Sequence, residues 1–136
     1  AAEPVGPKLT PKLKGLIVQE MQLVLQAMTE IHTAIVTGEH ETVATQATKI
    51  HDSFIMKQSL TEQDRQDLMN AVPPAFVALD SELHQKAARL AHVAEQKDSE
   101  LEAVFFAKMT EACVECHATY ATDRFPSLSA GAAQEH

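Results

Sequence analysis

"FVALDSELHQKAARLAHVAEQKDSELEAVFFAKMTEACVECHATY", residues 76 to 120, contains two runs of apolar residues at helical spacing separated by one polar break. In the first run Phe76, Val77, Leu79, Leu83, Ala87, Leu90 and Val93 or Ala94 recur every three or four residues, which places them on one face of a helix. "EQKDSE" (95–100) is the only turn-like break, and beyond it Leu101, Val104, Phe105, Met109, Ala112 and Cys113 resume the pattern. Two helices joined by so short a link pack as antiparallel neighbours.

The same reading extends toward residue 1. After "GPKLTPKL" (6–13) Thr10 can cap a helix and Pro11 suits its first position; Leu13, Ile17, Met21, Val24, Met28, Ile31 and Ile35 then form an inward stripe that ends at Gly38. A second helix follows at once, with Val43, Ala47, Ile50, Phe54 and Ile55 inward. "QSLTEQDRQDLMNAVPP" (58–74) breaks the pattern: Thr61 with Asp64 marks a capped start, and Pro73-Pro74 ends whatever begins there. The expectation is an all-α, antiparallel four-helix bundle, with a crossover containing a short helix between helices 2 and 3. Residues 1–136 form a single domain, with 1–9 and 126–136 loosely held.

Composition agrees with this. Of 136 residues 45% are hydrophobic, enough for one core, and four glycines, one tyrosine and no tryptophan beside abundant Ala, Leu, Glu, Gln and Lys favour helix over sheet. A net charge of −8 without a Lys/Arg cluster argues against nucleic acid as a partner, and no apolar run is long enough for a membrane span. The opening "AAEPVGPKLT" lacks the basic and apolar regions of a signal peptide, so the sequence reads as a soluble chain whose export signal, if it had one, is already removed.

Both cysteines of the chain fall within "EACVECHATY" (111–120). Cys113 and Cys116 are three residues apart and Cys113 and His117 four apart, so on a helix all three share a face. Cys-x-x-Cys-His is the attachment sequence of c-type haem: two thiols form thioethers and the histidine ligates iron. A thioredoxin-like redox pair would need a βαβ setting and a thiol of lowered pKa. A zinc site would need a fourth ligand from elsewhere. The plainest alternative is two cysteines packed as small hydrophobes beside a surface histidine.

The motif on the last helix of such a bundle resembles the class II cytochromes c, cytochrome c′ and its low-spin relatives of the c-556 type. The likeness extends to "MTEIHTAIVTGEH" (28–40), the crossover, and Tyr120 just past the motif. Where the family often carries a basic residue after the haem histidine and an arginine before the distal position, this chain has Ala121 and Ile17. The resemblance implies a periplasmic bacterial monohaem protein with one covalently bound haem c, exchanging single electrons with redox partner proteins, and a homodimer through helices 1 and 2. It also places the sixth iron position on helix 1, where Met21 is the candidate ligand and Met28 the reserve. An open sixth position would instead give a five-coordinate protein binding nitric oxide or carbon monoxide. A peroxidase-like enzyme is disfavoured, because the helix 1 face shows Met and aliphatic residues in place of a polar acid/base pair.

His32, His51 and His84 each border the predicted core and read first as partly buried histidines bonded to a carbonyl, carboxylate or haem propionate, with His51 and His32 the other candidates for iron; His40, His92 and His136 read as surface residues. Asp52, Asp64, Asp80 and Glu82 form no obvious acid/base pair, and the chain is expected not to be an enzyme.

Overall fold

The computed structural model describes residues 2–128, and among them every regular element is helical. The α-helices are α1 (Pro11–Thr37), α2 (His40–Asp52), α3 (Glu62–Ala71), α4 (Pro74–Glu95) and α5 (Ser99–Tyr120), with 3₁₀ turns at Gly6–Lys8, Ile55–Lys57 and Pro126–Leu128.

The ends of the helices follow from local chemistry. Thr10 accepts a hydrogen bond from the Leu13 N–H and Pro11 takes the first turn, where a missing N–H costs nothing. Gly38 closes α1 in the left-handed region at φ 74°, its N–H bonded to the carbonyls of Ala34 and Ile35. Thr61 and Asp64 form a reciprocal capping box at the start of α3, and Asp98 caps α5 through the Leu101 N–H.

Packing is most extensive between α2 and α4, then between α4 and α5 and between α1 and α2; α1 and α5 meet over much less of their length. The apolar core is in two parts. The first gathers Val24, Met28, Ile31, Val43, Ala47, Ile50, Leu83, Leu90 and Met109, with Cys113 packed against it. The second gathers Val5, Leu13, Ile55, Leu68, Val72 and Tyr120, with Ile17, Phe54, Leu79 and Cys116 packed against it. The change from second to first falls between Ile17 and Val24 on α1 and between Leu79 and Leu83 on α4. It falls between Cys116 and Cys113 on α5, and between Phe54 and Ile50 at the end of α2. One level of the molecule therefore separates two apolar cores.

Three expectations are corrected. Leu101 and Val104 point outward, 39% and 41% exposed, while Glu102 between them is fully buried. The reason is a partner: the His40 ring lies 3.0 Å from both Glu102 carboxylate oxygens, tying the start of α2 to α5 and making His40 a half-buried bridge instead of a surface residue. Within the segment expected to be loose, Val5 is held: it is buried and its N–H donates to the Tyr120 carbonyl at 3.0 Å. His136 and most of the tail expected to be loose, from 129 onward, lie outside the described residues.

Candidate functional site

The CxxCH segment occupies the last two turns of α5. Cys113 and Cys116 are free thiols, both half-buried, one against each apolar core. Burial pushes the Cys113 thiol up. Burial, with the nearby charges of Asp80, Cys113, Glu115 and Glu20, pushes Cys116 up to about 12. A redox pair needs the opposite shift, so the thioredoxin-like reading loses its chemical basis. Among the described residues, the one group of three close His, Cys, Asp or Glu donors includes neither cysteine nor His117.

His117 is half-buried, and its ring stacks on Phe125 with centroids 4.6 Å apart at 25°. Burial, then the Arg124 guanidinium, lowers its pKa, since both disfavour a second proton on the ring. At neutral pH the imidazole is therefore uncharged, with a lone pair free to ligate a metal.

On α1, Met21 is half-buried and packs in neither core; it lies at the level of the boundary between them, where α5 carries Cys113 and Cys116. Met28 fills the first core as an ordinary apolar side chain. His32 is exposed and stacks on Phe106 at 5.5 Å. His51 meets Asp52 and Lys57 near the surface. His92 is exposed.

His84 is different: as expected for a core histidine it is bonded to a carbonyl and to carboxylates, and it is buried. Its Nδ1–H donates to the Ile50 carbonyl at 2.6 Å, while Nε2 lies 2.8 Å from Glu20 Oε1 and 3.2 Å from Asp80 Oδ1. Burial alone would lower its pKa, but hydrogen bonds and charge from Asp80 and Glu20 outweigh that and raise it to about 9. Asp80 is thus paired after all, and Glu20 is buried on the helix 1 face read as purely apolar. The i, i+4 spacing of Asp80 and His84 was a visible signal for half of this group; Glu20 had none.

No protein-family model, curated protein or solved structure matches this chain.

Proposed function

We propose that the chain is a monohaem c-type cytochrome acting in single-electron transfer, with α1, α2, α4 and α5 as an antiparallel four-helix bundle and α3 in its crossover. The observation that carries the reading is the level at which the motif lies. Cys113 and Cys116 straddle the boundary between the two apolar cores, α5 meets α1 only sparsely, and Met21 sits on α1 at that same boundary. The donor set fits the group: two thiols and a neutral imidazole on one helix face, with a thioether as candidate on the facing helix.

Haem c, joined to Cys113 and Cys116, would supply the ferric/ferrous couple. His117 would hold the iron, since burial and the Arg124 guanidinium lower the pKa of its half-buried ring and favour the neutral imidazole. Met21 needs no proton removed to ligate and favours ferrous iron, which suits a carrier of raised potential. The apolar side chains on either side of the boundary flank Cys113 and Cys116 and would shield part of a bound haem from water. Export to a bacterial periplasm, exchange with redox partner proteins and pairing of two copies belong to the same reading.

The absence of polar groups from the helix 1 face no longer argues against a peroxidase-like enzyme, since Glu20 and His84 meet there. His84 is a poor general base all the same: both ring nitrogens are engaged, and the ring is already protonated at neutral pH. Electron transfer therefore remains the preferred role.

Extraction with acid acetone should leave the colour on the polypeptide, and the intact mass should exceed the sequence mass by one haem; haem released into the solvent would end this reading. Replacing Met21 with Leu should convert a low-spin spectrum to high-spin and open the iron to carbon monoxide, at a stability loss below about 1.5 kcal/mol because volume is nearly conserved. A native protein that is already high-spin and binds nitric oxide readily would replace electron transfer with gas binding.

A further inference from the structure

Glu20 from α1 and Asp80 and His84 from α4 bring their ligand atoms within 4.8 Å of one another, close enough to the motif for the Asp80 and Glu20 charges to act on Cys116 but including none of its residues. We infer that these three residues bind one divalent transition-metal ion of the zinc or cobalt kind, His84 through Nε2 and each carboxylate through one oxygen.

Four features of this group support a metal site. The first is orientation. A histidine that ligates a metal characteristically donates its other ring N–H to a backbone carbonyl or carboxylate, which fixes the tautomer and aims the free nitrogen. Ile50, on a third helix, supplies that carbonyl to His84 Nδ1 at 2.6 Å, so Nε2 faces the two acids. Phe54, with its ring 5.2 Å from the imidazole, packs against the histidine.

The second is spacing. Ligands held about 2.0 to 2.2 Å from a shared ion lie roughly 3 Å from each other, and Nε2 stands 2.8 and 3.2 Å from the two carboxylate oxygens. Little movement is needed to admit an ion in place of the shared proton.

Charge is the third. Two carboxylates beside one histidine, all with little solvent contact, make a setting in which negative charge calls for a cation. A divalent ion with a neutral imidazole brings the group to neutrality. The fourth is access: a surface cleft of about 380 Å³ lined by Leu16, Gln19, Glu20, Lys49, Asp52 and Gln58 opens onto Glu20. Three protein ligands would leave a further position for water.

The inference does not rest on haem, and the test separates the two. Full-length protein, stripped with a chelator and dialysed, is titrated with zinc chloride at neutral pH by calorimetry, with bound metal confirmed by elemental analysis. One equivalent should bind and raise the unfolding temperature. Asp80→Asn and His84→Gln should each weaken binding on the order of 100-fold and abolish the thermal shift. If His84→Gln does not fold, Asp80→Asn decides alone. Less than one equivalent bound by the native chain would overturn the inference. So would variants that bind as tightly as the native chain, since the metal would then lie elsewhere, for example at the Cys113–His117 motif.

Discussion

The two apolar cores are built differently. The first is made by the long helices alone: Met28, Ile31, Val43, Ala47, Leu90 and Met109 come from stripes at helical spacing, and its core members carry no charge. The second recruits pieces that no stripe predicts, Val5 before α1 and Leu68 and Val72 around α3, and takes Ile55 from a 3₁₀ turn instead of from the helix expected to carry it. Between them lie Glu20, Asp80 and His84, with Cys113 and Cys116 at the same level. The regular end thus serves as scaffold, and the chemistry-bearing residues collect where regular packing stops.

The sharpest way to break this contrast is at the polar level. His84→Ala leaves the buried Glu20 and the partly buried Asp80 carboxylates without their partner and should cost about 3–5 kcal/mol in urea denaturation. A loss below about 1 kcal/mol would mean that the group is more hydrated than its burial implies. Leu90→Ala, in the fully buried heart of the first core, should cost about 3 kcal/mol through lost burial and a residual cavity, with no sensitivity to pH.

pH separates the two levels further. The folded-state pKa of His84 is raised from 6.5 to about 9, so its protonation stabilises the fold fully below about 6.5, and that contribution is lost as pH rises through about 9. With chelator present, the native chain should lose on the order of 5 °C in Tm between pH 7 and pH 10. His84→Gln should flatten that slope and Leu90→Ala should keep it; an unchanged slope in His84→Gln would assign the loss to other groups. The smallest effect belongs to the crossover. Thr61→Ala removes one half of the capping box of α3 and should cost about 1 kcal/mol, with the first core unaffected in hydrogen exchange.

Legibility followed the same division. Thr10, Pro11, Gly38, Thr61 and Pro74 announced their helix ends because capping is local, and the inward stripes of α1 and α4 were visible because polar residues flank them. On α5 the stripe misled. Leu101, Val104, Phe105, Phe106, Met109, Val114 and both cysteines surround that helix, so periodicity selects no single face. Burial of Glu102 and Glu20 was not readable, since a charged residue goes inside only when a partner waits there. Those partners, His40 and His84, are 62 and 64 residues away in sequence. The motif was legible from spacing alone, but its position at the boundary of two cores required the fold.

The hydrogen bond from Val5 to the Tyr120 carbonyl joins the two ends of the described chain, and the loop it closes contains every helix. Such a loop carries the largest closure entropy in the molecule, so the contact is favourable only once the helices have already docked. In a chain synthesised from its N-terminus, Cys113 and Cys116 emerge while Val5 still has no partner. The second core, with Cys116 on its flank, should therefore close after the helices have docked. In refolding, the Val5 amide should be among the last to gain protection from hydrogen exchange; early protection there would refute this order of assembly.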